Sequence, residues 1–173
     1  VYVEEVSTLP PSVVPVATAV PAFIGCTEKA GNNNEYRSQP VRISSILEYT
    51  TLFGGAKPTE FTVTVQEETL NGKKTEQITQ ITGGNNSGNI PDYLMYYALR
   101  LFFENGGGPC YIVSVGDYTA KPSVADFTTG LDAIRQEDEP TLLVLTDGVN
   151  LDSNDYYTLC ESVLKQCSDL KDR

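Results

Sequence analysis

Hydrophobic and polar positions follow three different patterns along this chain, and the first is a set of uninterrupted apolar runs. The runs lie at residues 22–26, 110–115 and 141–146. None of them alternates with polar positions, which is typical of strands buried on both faces of a parallel sheet. Even the longest run is far too short to cross a bilayer, so no membrane partner is predicted.

The second pattern is a recurrence of apolar residues three and four positions apart, which predicts four amphipathic helices. The first begins at Ser45, where Ser45 and Glu48 form a capping box, and the others begin at Pro91, at Ser123 and near Ser153. Alternating with the apolar runs, these helices indicate an α/β fold: a three-layer domain with a mostly parallel sheet flanked by helices.

The third pattern is a period of two, confined to residues 61–65 and 76–81. Asn71 and Gly72 between them are a strong signal for a two-residue hairpin turn, so this stretch predicts an inserted β-hairpin. The predicted domains are a strand and Pro-rich linker at 1–21, an α/β core at 22–56 and 89–173, and the hairpin insertion at 57–88. Three buried strands make a thin sheet, so we expect the core to continue beyond residue 173.

Composition and charge argue against several classes of function. Twelve basic residues face 23 acidic ones, a net charge of −11 that repels phosphate backbones, so no nucleic-acid partner is expected. The absence of histidine removes the commonest general base and all imidazole metal ligands. No secretion signal is recognisable, and the four cysteines, none in a CxxC pair, fit reduced thiols of an intracellular protein.

Two motifs could be given a catalytic interpretation. The Asn-Gly-Gly-Gly-Pro run at 105–109 closes a helix and leads into a strand, the reverse of a phosphate-binding loop, which favours a helix C-cap. Asp147 follows a strand where α/β sheets often bind ligands, yet Asp147-Gly148 is also an ordinary turn pair. Asp152 and Asp155 are explained as helix-start charges. We therefore predict no catalytic, cofactor-binding or metal residues and no enzyme activity, and expect the ten tyrosines to serve the core and interfaces.

Several blocks of the chain resemble contractile tail sheath proteins. They lie at 1–6, 16–25, 40–45, 53–55 and, most specifically, 96–113. In the last block a long helix ends in Phe-Phe-Glu-Asn-Gly-Gly and enters a strand. The strand at 143–147 and the helix around Cys160 continue the resemblance in order, and only the hairpin departs from it.

The family includes the sheaths of contractile phages, phage-tail-like injection particles and type VI secretion systems. The resemblance implies a structural subunit that polymerises helically around an inner tube and contracts to drive it through a target envelope. The implied partners are neighbouring sheath subunits, the inner tube protein, and baseplate and terminator proteins. It also implies assembly in a bacterial or phage-infected cytoplasm, a location in a virion tail or tail-like particle, and no cofactor. The family subunit is larger, so this chain is expected to be a fragment without the terminal assembly arms.

The candidate interface is the alternating segment at the start of the chain, followed by a proline-rich spacer at 9–21. Its residues are Val1, Tyr2, Val3, Glu4, Glu5 and Val6. Two other functions stay open from the sequence. One is an α/β enzyme that uses Asp147 at the carboxyl end of a strand, and the other is a glycan-binding module built on the hairpin.

Overall fold

The computed structural model describes residues 19–59, 61–70, 73–83 and 91–173. The elements, in chain order, are β1 (Pro21–Cys26), β2 (Pro40–Ile43), α1 (Ile46–Phe53), β3 (Phe61–Leu70), β4 (Lys73–Gly83), α2 (Met95–Glu104), β5 (Cys110–Gly116), α3 (Val124–Ile134), β6 (Leu142–Leu145), a 3-10 turn (Gly148–Asn150) and α4 (Ser153–Leu170).

The central sheet has four strands in the order β2-β5-β1-β6. Strand β1 runs parallel to both neighbours, with Phe23 opposite Ile112 of β5 and Val144 of β6. Strand β2 runs antiparallel to β5 at the edge. The predicted α/β fold with a mostly parallel sheet is therefore confirmed. Strand β2 was not predicted, because four residues that begin with a proline give almost no strand signal.

Helices cover both faces of this sheet, which makes three layers. Because successive side chains of a strand point to opposite faces, β1 contributes to two separate cores. Ile24 packs with Phe127 and Leu131 of α3 on one face, where α4 also contributes. Phe23 packs with the buried residues of α1 and α2 on the other face, Leu99 among them.

The predicted helix starts are mostly confirmed by their caps. The Ser45 side chain accepts a hydrogen bond from the Glu48 amide, although the Glu48 carboxylate accepts from the Ser44 amide rather than from that of Ser45. At α3, the Ser123 and Asp126 side chains complete a reciprocal capping box. Each cap satisfies amides that the first helical turn cannot satisfy itself.

Two predictions about element position are wrong. Helix α2 begins at Met95, not at Pro91, because the Leu94 amide donates outside the helix to the Asp147 carboxylate. Strand β6 is not buried on both sides: it lies at the sheet edge and Leu142 is 51% exposed.

The inserted β-hairpin is confirmed as a separate two-stranded antiparallel sheet of β3 and β4. It is longer than predicted, since pairing runs from Phe61 opposite Gly83 to Leu70 opposite Lys73. The turn residues at 71–72 lie outside the described residues. Pairing sets the extent of the hairpin, while the domain boundaries at 57 and 88 stay a prediction.

The base of the hairpin is tied to the core by polar and aromatic contacts. Lys57 Nζ lies 3.3 Å from Asp92 Oδ2 and 5.1 Å from the centre of the Tyr93 ring. Tyr93 in turn lies against Tyr118, whose hydroxyl donates to the Gly55 carbonyl at 2.8 Å. These contacts fix the two chain segments from which the hairpin leaves the domain.

Candidate functional site

Asp147 is the residue that the sequence singled out for possible catalysis, and the structure buries it completely. It follows β6, and its two carboxylate oxygens accept from backbone amides of two other elements. Oδ2 accepts from the Cys26 amide and Oδ1 from the Leu94 amide, both at 2.6 Å. Asp147 thus joins the end of β1, the end of β6 and the start of α2.

The surroundings of Asp147 give it a structural role. Burial raises the pKa of its carboxyl, against the opposing effect of the hydrogen bonds from the Leu94 and Cys26 amides. The neighbouring backbone is so close that a Cβ at Gly25 would overlap the Thr146 hydroxyl and the Asp147 carboxylate. A side chain with both oxygens occupied and no exposed surface cannot reach a substrate, so this geometry gives the enzyme interpretation no support.

Other candidate chemical groups are equally enclosed or isolated. Burial raises the pKa of the Cys26 and Cys110 thiols to about 12, which makes them inert hydrophobic residues at neutral pH. Asp152 is the N-cap residue of α4 and Asp155 lies in its first turn, as predicted. Within residues 19–59, 61–70, 73–83 and 91–173, no group of three or more His, Cys, Asp or Glu side chains could hold a metal ion.

The glycine run at 105–109 ends α2 in a Schellman motif, as the predicted C-cap requires. The Gly107 amide donates to the Phe102 carbonyl at 2.9 Å and the Gly106 amide to the Phe103 carbonyl at 3.1 Å. Gly106 has φ of +83°, a conformation that favours glycine. A Cβ at Gly107 would lie 2.6 Å from the Phe102 ring, so that position also needs glycine.

This turn leads directly into β5, one of the two inner strands of the sheet. Phe102 lies edge-on to Phe23 of β1, with 5.5 Å between ring centres. Three residues after Gly107, the chain enters β5, which pairs with β1 on one side and β2 on the other. The block that carries the family resemblance is therefore a rigid junction in the domain.

Several exposed apolar residues cluster in a groove and on the hairpin, neither of which was predicted as an apolar surface. A groove of about 300 Å³ beside the start of α4 is lined by Val149, Leu151, Ser153, Tyr156 and Tyr157. The other cluster is on one face of the hairpin. Amphipathic periodicity hides both, because an apolar residue on an exposed face has the same spacing as one in the core.

The tyrosines divide between core and surface, as expected. Tyr49, Tyr93 and Tyr111 are buried, whereas Tyr157 is 66% exposed. The predicted interface at residues 1–6 lies outside the described residues, so its role stays a prediction. In the described part of the chain, no helix is long and apolar enough to cross a membrane.

Chains similar to this one are found among solved structures. No protein-family model and no curated protein matches the chain. A chain in the cryo-EM structure of the anti-feeding prophage helical sheath in its contracted state is 26% identical, with a TM-score of 0.48, over 98% of this chain and 35% of that one. A chain in the anti-feeding prophage baseplate structure is 28% identical, with a TM-score of 0.45, over 84% of this chain and 31% of that one.

The present chain spans about a third of the length of each of these two chains. One belongs to a helical sheath and the other to a baseplate of the same particle. The resemblance to contractile tail sheath proteins rests on the sequence blocks, above all on residues 96–113.

Proposed function

We propose that this chain is part of a structural subunit of a contractile sheath. The subunit polymerises helically around an inner tube and contracts to drive the tube through a target envelope. Its partners are neighbouring sheath subunits, the inner tube protein, and the baseplate and terminator proteins. Assembly takes place in the bacterial or phage-infected cytoplasm, and no enzymatic step is involved.

The observation that carries this proposal is the junction of α2, its glycine turn and β5. The residues of this junction, 96–113, are the ones that most specifically resemble sheath proteins. The Schellman hydrogen bonds, the close approach of Gly107 to Phe102 and the three-layer core make it a rigid body. A rigid subunit suits a lattice whose subunits move as whole bodies during contraction.

Contraction needs only a difference in contact energy between two lattices. If each subunit makes better contacts in the contracted lattice, many small differences add up to a large driving force. Identical head-to-tail contacts that do not close into a ring generate a helical filament. Neither step needs a nucleotide, a metal or a catalytic side chain.

We further propose that residues 1–6 tether neighbouring subunits by adding a strand to a sheet of the neighbour. An alternating segment suits this role because main-chain hydrogen bonds hold it while side chains on one face are buried. The proline-rich residues 9–21 would act as a semi-rigid spacer that keeps the tether at a set distance from the core. The predicted division into linker, core and hairpin insertion belongs to the same proposal.

Electron microscopy tests the proposal directly. The protein that contains this chain with its natural flanking sequence should form hollow striated cylinders, alone or when produced together with its tube protein. A protein that stays monomeric under both conditions would contradict the sheath function. Deletion of residues 1–6 should abolish the cylinders, while Thr128→Ser, a conservative change on the exposed side of α3 and away from both sheet edges, is the control variant. Cylinders that survive the deletion would refute the tether alone.

A further inference from the structure

One face of the hairpin carries a continuous apolar surface that nothing in the described chain covers. Its large side chains are between 43% and 68% exposed. They are Phe61, Val63 and Val65 of β3 and Ile78 and Ile81 of β4. We refer to these five residues as the apolar hairpin face.

A β-bulge creates this face. Ile78 and Ile81 are three positions apart, so a regular strand would place them on opposite faces. Pairing shifts register between Thr64 and Val65, which puts Val63 opposite Ile81 and Val65 opposite Ile78. The extra residue Thr79 is held by its hydroxyl, which donates to the Thr64 carbonyl at 3.1 Å. The bulge therefore collects all five apolar side chains on one side.

A two-stranded hairpin of this kind needs a partner on its apolar side. Two antiparallel strands alone are marginally stable in water and gain independent stability when a hydrophobic face is covered. The opposite face is polar, since Thr62, Thr64 and Gln80 lie there. Among the described side chains of the hairpin, the large apolar ones therefore lie on one face.

We propose that the apolar hairpin face packs against the same face of a second copy of this chain. At the exposed fractions given above, each face presents at most roughly 500 Å² of apolar surface, so two faces together bury up to about 1,000 Å², the size of a weak, transient interface. Two two-stranded sheets at the usual face-to-face spacing form a small sandwich. Identical faces meet about a two-fold axis.

Charge favours a second copy at this place. The chain carries a net charge of −11, which makes most surfaces of two copies repel each other. The hairpin from Phe61 to Gly83 contains two lysines and three glutamates, a net charge of −1. Two hairpins therefore repel each other much less than two whole chains do.

Charged residues on the same side of the hairpin also limit how the hairpins of two copies can be aligned. Beyond Val65 and Ile78, towards the turn, Glu67 lies opposite Glu76, and Glu67 also forms an ion pair with Lys74 at 3.2 Å. Burying these charges would be costly, so the apolar halves overlap and the charged ends stay in solvent. The two-fold axis then passes near Val63 and Ile81.

This contact goes beyond the proposed sheath function and does not depend on it. A polar helical lattice contains no two-fold axis that relates neighbouring subunits, so the contact joins subunits before assembly or subunits of two adjacent particles. Its loss would leave striated cylinders intact. Failure of sheath formation would in turn leave the hairpin contact unaffected.

Sedimentation equilibrium of the chain over a range of concentrations tests the contact. We expect a weak dimer with Kd on the order of 10–100 µM. The double variant Val63→Thr and Ile81→Thr should raise Kd at least tenfold, because it replaces the centre of the face while keeping β-branched side chains. The control, Thr62→Ser and Thr82→Ser on the polar face, should leave Kd within twofold. A wild-type chain that is monomeric at 500 µM (roughly fivefold above the weakest expected Kd) would overturn the proposal.

A cross-linking experiment keeps the test decisive if the double variant loses the hairpin structure. Val63→Cys should form an intermolecular disulfide under mild oxidation, whereas Thr62→Cys on the opposite face should not. Equal cross-linking of both variants would contradict face-to-face pairing. Weakening of the dimer by Tyr157→Ser would also contradict face-to-face pairing, because the hairpin would then dock in the groove beside α4.

Discussion

The α/β core and the hairpin use similar β-branched and aromatic residues but differ in what covers them. All six residues of β1 are buried, with helices on both faces of its sheet. In the hairpin, by contrast, even the large residues Phe61 and Ile78 are more than 60% exposed. Helices thus cover the strands of the core, whereas nothing in the described part of the chain covers the apolar hairpin face. Stability resides in the first region and association in the second.

The largest difference in stability between the two regions is expected when the same truncation is made in each. Phe127→Ala removes a fully buried ring between α3 and the sheet and should lower the free energy of unfolding by about 3–5 kcal/mol. Phe61→Ala removes a ring that is 68% exposed and should change it by less than about 0.5 kcal/mol. Urea denaturation followed by circular dichroism measures both. Equal losses would mean that the hairpin is part of the core.

A smaller effect is expected at the Asp147 junction. Asp147→Asn replaces one acceptor by an amide group that cannot accept from the Cys26 or Leu94 amide, which should cost about 1–3 kcal/mol. Asp155→Asn, in the first turn of α4, should cost no more than about 0.5 kcal/mol. Chemical denaturation of both variants gives these values, and equal losses would remove the structural role of Asp147.

The difference in stability between wild type and Asp147→Asn should also depend on pH. Because burial raises the pKa of Asp147 in the folded state, its contribution to stability is largest below the unfolded pKa of about 3.9. That contribution falls as the pH rises through the folded pKa. The stability difference between wild type and Asp147→Asn should therefore narrow from pH 4 upward and then become constant. A difference that widens over this range would contradict the raised pKa.

The smallest effect is expected from a comparison of two glycines in the turn after α2. Gly106→Ala forces a Cβ into a backbone with φ of +83° and should cost about 1 kcal/mol. Gly108→Ala is the matched control, because a Cβ there meets no atom within 4 Å. Thermal denaturation should show a lower Tm for the first variant only. A lower Tm for both would indicate that the whole glycine run, and not its one left-handed residue, sets the turn.

The sequence predicted what local chemistry determines. Ser45 and Ser123 mark helix starts because their caps involve residues three positions away, and Gly106 marks a helix end for the same reason. The hairpin was likewise predictable from alternation and from its turn signal. The overall fold class followed from these elements, because apolar strands that alternate with amphipathic helices have few ways to bury both surfaces.

What the sequence did not predict depends on distant partners. The start of α2 is set by Asp147, which takes the Leu94 amide from 53 positions away. The apolar hairpin face depends on a bulge at Thr79 whose position is fixed only by the register with β3. The role of Asp147 was equally hidden, since a buried carboxylate and a catalytic one have the same sequence context at the end of a strand. Only its contacts distinguish them.

The position of Asp147 has a consequence for how the chain folds during synthesis. Its hydrogen bond to Cys26 closes a loop of 121 residues, and the same separation divides β1 from its neighbour β6. At a translation rate of 5–20 residues per second, β1 waits roughly 6–24 s before residue 147 is made. Strand β5 can pair with β1 earlier, because its partner residues follow those of β1 by 89 positions, but the other edge of β1 stays unpaired until β6 is made. One edge of this inner strand is thus exposed throughout the synthesis of the 121 residues that separate it from β6, although its other edge is paired earlier.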